Sequence, residues 1–523
     1  MRSGWPVAAC LVAAIGLAAA GAAGLVRAGS GTEVRTVTVD GVPLLEVSQA
    51  APDTGRPGAV IVHGFSGSAR LMRGFADTLA AQGYVAVLPD LAGHGRNTTG
   101  LPPLDDRAAD EALQRDLAAA VRHLRALPTV DPSRIVLVGH SMGAAAVAAY
   151  AVAHPEIRAT VAISISSAEA LPDDPARPRN LLLIVGTAEL PPFHDAALAA
   201  LRRGYPALSY GQTAGEPAAG TARRAVRVAG VEHISVLYAT RTHAETVTWL
   251  GRAVAAPVGG PLHPRDRLVP TGALLLAFLL GFVPLTVALL PRRAGAGGVA
   301  GAAAPPGRVR ARYAYGGLVA ALTLGVLAAG VAPTNLLPLA VGGYAAGFFA
   351  ITGAGLVAAY ALDRRPALNP APGTGRRRAG WWRVGRRQAG AAAVLTAYAV
   401  TAVAVPMHLG LTHAVPVGAR WWLLPIVVGC VALLLVGSEL LAGNTRWRQP
   451  LILAATAAAV LIAALAGLAP RFVLLVLPLL VILFAWHAGW SAVLRRRSAP
   501  VWLPALLGAT VVGWPIAMSL PLT

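Results

Sequence analysis

The pentapeptide Gly139-His140-Ser141-Met142-Gly143 carries the clearest chemical content in the chain. A serine hydroxyl is a weak nucleophile until a base takes its proton. Gly-x-Ser-x-Gly is the spacing that lifts such a hydroxyl onto a sharp strand-to-helix bend. In a chain of this composition chance alone supplies about 0.2 copies of the pattern, so its setting has to decide. The apolar run 135–138 precedes it and an Ala-rich stretch, 142–154, follows with helical character. The chemistry implied is acyl transfer. The seryl oxygen attacks a carbonyl, a base moves the proton, a buried carboxylate orients the base, and fixed N–H donors meet the oxyanion.

The elements that must position this serine alternate along segment 28–267. Residues 33–47 read as an antiparallel strand pair, 58–67 as a buried strand running into a Gly-rich turn, and 84–90, 134–140, 159–166, 180–186 and 223–230 as further strands. Helical spacing lies between them at 70–82, 106–127 and 142–154. Repeated strand–helix–strand units predict a mainly parallel sheet covered on both faces, with its chemistry beyond the carboxyl ends of the strands.

Three motifs in order, His63-Gly64-Phe65, Pro89-Asp90-Leu91-Ala92-Gly93-His94-Gly95 and Gly139 to Gly143, give residues 33–252 a resemblance to the α/β-hydrolase superfamily. The likeness is to uncapped or small-capped serine esterases, lipases and peptidases. It implies Ser141 as nucleophile and the backbone N–H groups of Phe65 and Met142 as the oxyanion hole. It also implies the order serine, acid, histidine. Of twelve histidines, His233 follows the last strand and is the expected base. His63 and His94 are read as loop-shaping, and His123, His154 and His243 as surface or helix-face residues. The acid stands three residues beyond a strand-closing Gly in that superfamily, which is Glu189 after Gly186; Asp195 is the rival. The short connection between the strands ending near 166 and starting near 180 leaves no room for an inserted lid. Region 190–222 is left as a source of a small flap.

Composition places this domain in a larger frame. Of 523 residues 55% are hydrophobic and only 13% charged, with mean hydropathy +0.60, which excludes a wholly water-soluble or disordered chain. All 44 basic residues are arginine, and the net charge is +20. Arginines and acids balance at 22 each within 28–267, so the excess lies in the hydrophobic remainder, where the only acids are Asp363 and Glu439. That distribution excludes a nucleic-acid-binding patch and fits a membrane protein. Apolar runs at 5–26, 268–290, 313–332, 335–361, 388–409, 421–442, 449–468, 471–494 and 500–521 are each about long enough to span a bilayer. The first is read as an uncleaved anchor rather than a secretory signal, and the 332–335 turn leaves room for a re-entrant pair.

Alternate loops are rich in arginine: 291–312 with Arg292, Arg293, Arg308, Arg310 and Arg312, 363–387 with Arg376, Arg377 and Arg378, then Arg446, Arg448, Arg495, Arg496 and Arg497. The other loops hold only Arg420 and Arg471. The positive-inside bias puts the rich side in the cytoplasm and segment 28–267 outside it; these arginines are read as topology rather than as lipid head-group ligands. Cys10 and Cys430 are read as small buried hydrophobes, with no disulfide and no metal cluster.

The expected organisation is therefore an N-terminal anchor (1–27), an extracytoplasmic α/β-hydrolase domain (28–267) and an all-α membrane region of about eight helices (268–523). The expected function is a cell-membrane serine hydrolase cleaving lipid-like or small acyl esters, without cofactor, metal or nucleic acid. Its partners are the ester substrate and membrane lipid; oligomeric state is open. The alternatives are a peptidase or acyltransferase using the same residues, or a non-catalytic scaffold or binding module. Transport is disfavoured, because Glu439 and His487 are isolated ionisable groups in the spans.

Overall fold

The computed structural model describes residues 5–50, 54–255, 265–290, 309–331, 337–364, 386–443, 445 and 447–523. Arg292, Arg293, Arg308, Arg376, Arg377, Arg378, Arg446 and the 332–335 turn lie outside the described residues. The chain divides into two compact units.

One unit comprises Ala20–Gly272 with two short later segments, Met407–His413 and Ser519–Thr523. Its sheet contains β1 (Thr32–Val39), β2 (Val42–Gln49), β3 (Arg56–Val62), β4 (Val85–Pro89), β5 (Val130–His140), β6 (Ala159–Ile163), β7 (Leu181–Gly186), β8 (Thr213–Ala214) and β9 (Arg223–Val228). The strand order is β1-β2-β4-β3-β5-β6-β7-β9-β8. The run from β4 through β9 is parallel, with β2 and β8 antiparallel at its margins. The β1–β2 hairpin closes on Asp40 and Gly41, at φ 51° and 82°. That is the pair of positive φ values a two-residue turn of this twist requires.

Helices cover both faces, which is why the central strands are apolar at nearly every position. Ile61, Val138 and Ile184 pack with Phe75 and Leu79 of α2 (Arg73–Ala81) and Leu250 of α6 (Thr240–Ala253). Val60, Val62 and Leu137 face Leu113 and Leu117 of α3 (Arg107–Ala126) and Val147 of α4 (Met142–Ala153). Leu183 and Ala225 meet Ala200 and Leu201 of α5 (Pro191–Gly204). This helix takes up 191–204 of the region from which a flap was expected, leaving 205–222 as irregular chain around β8. Pro191 and Pro192 sit in its first turn, where a missing N–H costs nothing, and an Ala/Leu stripe then buries against β7 and β9. His243 lies on a helix face, the inward one of α6, and not at the surface. It is 3% exposed, stacked on Phe75 at 4.0 Å, and bonded to Thr78 and the Leu237 carbonyl.

The two late segments are bonded to the edge of this unit. The Ser68 hydroxyl accepts from the His413 N–H at 3.1 Å and pairs with the Thr412 hydroxyl at 3.0 Å. Leu522 exchanges backbone bonds with Gly93 and Leu101, each 2.8 Å.

The other unit is helical: Met1–Ala19, Ala273–Pro406 and Ala414–Met518. It is built from α7 (Leu268–Leu289), α8 (Gly317–Val331), α9 (Gly342–Asp363), α10 (Arg386–Gly410), α11 (Arg420–Ala442), α12 (Arg448–Leu465), α13 (Val473–Arg495) and α14 (Trp502–Ser519), with the start of α1 (Trp5–Ala28). Nine helices among the described residues are long and apolar enough to cross a membrane, α8 counted together with the π-helical turn Arg312–Gly316 that leads into it. Small residues bring these helices close, as where Gly353 of α9 abuts the backbone of Leu434 on α11. Cys10 and Cys430 are free thiols.

Candidate active site

Strand β5 delivers Ser141 to the bend before α4 at φ 54° and ψ −119°. A residue with a Cβ occupies that sparsely populated region at a cost of about 1–3 kcal/mol, so the surroundings must hold it. The Ser141 N–H donates to the Ile163 carbonyl at 2.8 Å and its own carbonyl accepts from Ala144 at 2.9 Å. The flanking glycines are demanded by close approach. A Cβ on Gly143 would collide with the carbonyls of Val62 and His63, and one on Gly139 with the carbonyl of Gly143. The His63–Phe65 turn therefore lies directly against the first turn of α4.

The loop after β9 brings His233 over the serine, with Nε2 3.0 Å from Ser141 Oγ. Its Nδ1 lies 2.8 Å from Glu189 Oε2. The other Glu189 oxygen accepts from the Gly186 N–H at 2.6 Å and the Ser164 hydroxyl at 2.8 Å. Both side chains are withdrawn from solvent, at 5% for His233 and 0% for Glu189. The structure thus brings Ser141, His233 and Glu189 into one hydrogen-bonded chain, whereas Asp195 is exposed on α5. A Nδ1–H donor to Glu189 leaves Nε2 as acceptor for the Ser141 proton, the tautomer a general base requires.

Phe65 follows Gly64 on the turn facing α4, and Met142 is the first residue of that helix. An N–H in the first turn has no carbonyl one turn back, and positive helix-terminal potential gathers there. His63 and His94 hold this turn in place, as expected of loop-shaping residues. The Leu91 N–H donates to His63 Nε2 at 3.1 Å while its Nδ1–H donates to the Gly64 carbonyl at 2.8 Å. His94 does the same between the Ser66 N–H and the Ala92 carbonyl. Burial holds His63 below the usual histidine range, against the raising effects of the Gly64 carbonyl and Asp90, so it stays neutral with fixed donor and acceptor ends. Asp90 adds two bonds, from the N–H groups of Ala69 and Arg96.

Two side chains that sequence reasoning assigned no part lie against the base and the acid. Ser164, itself at φ 52°, donates to Glu189. His140 stands beside the nucleophile but turns away from it, and its Nε2 meets the His233 carbonyl at 2.9 Å. Burial keeps His140 well below the ordinary histidine pKa, and the neighbouring His233 pushes the same way. It is therefore a neutral, permanent donor. In the sequence the two are only a serine near the end of an apolar run and a histidine beside the elbow serine, which assigns neither a part. The Phe193 ring covers His233 at 4.2 Å. Leu190 and Ile234 are exposed beside their neighbours in the site, at 41% and 40%. Residues 164–180 form an irregular connection without an inserted helical lid.

Among the described residues no group of three or more His, Cys, Asp or Glu is placed to hold a metal. Residues 60–187 match a family model described as the alpha/beta hydrolase fold. No curated protein matches the chain. Similar solved structures include one described as "Putative Dienelactone Hydrolase" from Klebsiella pneumoniae subsp. pneumoniae, at 15% identity and TM-score 0.34, covering 42% of this chain and 99% of that one. Another is a CIB-like hydrolase from Thermoplasma acidophilum, at 19% identity and TM-score 0.33, covering 42% of this chain and 97% of the other.

Proposed function

We propose that the α/β-hydrolase domain carried by this chain is a serine hydrolase acting on carboxylic esters. The observation that carries the reading is the buried chain Ser141 Oγ–His233–Glu189, with links of 3.0 and 2.8 Å. In this reading Ser141 Oγ bonds to the ester carbonyl carbon while its proton passes to His233 Nε2. The N–H groups of Phe65 and Met142 meet the negative oxygen. As the intermediate collapses, the C–O bond to the alcohol breaks and Nε2–H returns the proton to the departing oxygen. Water then repeats the sequence on the acyl-enzyme, releasing the acid. Glu189 keeps the imidazole oriented and balances its positive form without taking the proton.

An apolar acyl ester suits the surroundings. Leu190, Phe193 and Ile234 offer apolar surface beside His233, and the short 164–180 connection leaves the approach without an inserted lid. A fluorophosphonate probe should label the full-length protein and fail on Ser141→Ala, which should also lose ester hydrolysis. Equal labelling of both proteins would defeat the assignment and favour a scaffold.

We further propose that the apolar helices span a cell membrane with the hydrolase domain outside the cytoplasm. The support is the nine long apolar helices and the arginine asymmetry among their connecting loops. Cysteines introduced singly at exposed Arg107 and exposed Arg496, in a Cys10→Ala/Cys430→Ala background, report the sides. An impermeant maleimide on intact cells should modify the first and spare the second; the reverse pattern would overturn the orientation.

A further inference from the structure

The helical unit holds a polar cluster that the hydrolase reading does not use. Glu439 on α11 is 4% exposed. It accepts from the Ser491 hydroxyl at 2.5 Å and from Arg495 Nη2 at 2.7 Å, both on α13, and Arg495 Nε donates to Ser491 at 3.1 Å. A buried carboxylate thus fixes one guanidinium at the end of α13. Beside it lies a cavity of about 170 Å³, lined by Gln449, Arg495 and Arg496 and, on its apolar wall, by Pro450, Ala488 and Ala492.

Gln449 is the telling member. It is 1% exposed, and among the described residues its amide Nε2 has no hydrogen-bond partner. A buried donor without an acceptor costs about 1–3 kcal/mol, and native structures rarely leave one so. The polar side chains lining the cavity are donors: two guanidinium groups and this amide. Glu439 neutralises Arg495, so the surplus charge is the single positive charge of Arg496. That matches a monoanion better than a dianion, and the apolar wall suits an anion carried on a hydrocarbon chain.

We propose that this cavity binds a phosphate oxyanion of phosphodiester type, the chemistry of an anionic phospholipid headgroup. These arginines then do more than set topology, and basic pockets between membrane helices bind such headgroups in general. The inference is independent of the hydrolase reading.

The test uses the full-length protein in nanodiscs or detergent, with phosphatidylglycerol, phosphatidylcholine and inorganic phosphate as separate probes. Native mass spectrometry and melting temperature are the readouts. Phosphatidylglycerol should be retained through delipidation and raise the melting temperature, and phosphatidylcholine should do neither. Arg496→Gln should weaken phosphatidylglycerol binding about fivefold, the effect of about one basic side chain. Arg471→Gln, an exposed arginine outside this cavity, should leave it unchanged.

Gln449→Leu separates a binding role from a structural one. It removes an amide that lacks a partner in the empty cavity, so the lipid-free melting temperature should hold or rise while the lipid-induced increase shrinks. If inorganic phosphate alone reproduces the increase and competes, the oxyanion comes from solution. If it is inert, the lipid is the source. Either result supports the chemistry. Equal retention of both lipids, or unaltered phosphatidylglycerol binding in Arg496→Gln and Gln449→Leu, would overturn it.

Discussion

Replacing Glu189 by Gln preserves shape and removes one charge, and the bonds around this residue decide how the amide must sit. Oε1 accepts from both the Gly186 N–H and the Ser164 hydroxyl. An NH2 group placed there would oppose the Gly186 N–H at 2.6 Å. The amide oxygen therefore takes that position and the NH2 group turns to His233. Two donors cannot face each other across 2.8 Å, so His233 must shift its proton to Nε2, where it can no longer accept the Ser141 proton. The balancing charge for the imidazolium is lost as well. Together these effects amount to roughly 10³–10⁴ in kcat, or about 4–5.5 kcal/mol of barrier, with KM little changed. The assay is hydrolysis of a short nitrophenyl ester, alongside the second-order rate of fluorophosphonate labelling. Asp195→Asn, on the exposed face of α5, should stay within about twofold of the parent, as surface substitutions usually do. A Glu189→Gln protein within tenfold of wild type, or an Asp195→Asn protein slower than it, would refute the reasoning.

Two further substitutions follow from the same unit. His140→Leu leaves the buried His233 carbonyl without its donor and should lower kcat by about tenfold, from about 1–3 kcal/mol of misplaced base. His140→Gln, whose amide can occupy the Nε2 position, should restore most of it; equal loss in both would point to packing alone. Asp116 is 8% exposed and takes the Ala92 N–H at 2.7 Å. Burial lifts its pKa from 3.8 to about 6 against that bond and Arg115. The folded protein thus keeps a proton that the unfolded chain releases near pH 4. This contribution to stability is complete below pH 4 and is lost as pH rises through 6, about 3 kcal/mol at most. Asp116→Asn keeps an acceptor for Ala92 and removes the dependence. Its stability relative to wild type should climb between pH 4 and 7 in urea melts, and a pH-independent difference would contradict the assigned cause.

Much of this protein is legible in its sequence because the relevant signals are local. Each apolar strand run, the glycines around Ser141, and the length and hydropathy of nine helices depend on neighbours a few residues away. The motifs at His63–Phe65 and Gly139–Gly143 mark their turns for the same reason, since their glycines answer to backbone clashes that any such bend produces. What only the tertiary structure decided involves residues far apart in the chain. Glu189 rather than Asp195 reaches His233 because parallel pairing of β7 with β9 aligns Gly186 with Val228. The two loops that follow then leave the same edge of the sheet, while α5 carries Asp195 outward. Ser164 and His140 became visible only when β5, β6 and β7 lay side by side. The docking of Met407–His413 and Ser519–Thr523 on the hydrolase unit, and the unsatisfied amide of Gln449, leave no periodicity to read. A hydrogen bond between residues dozens to hundreds of positions apart is set by packing, and spacing along the chain does not encode it.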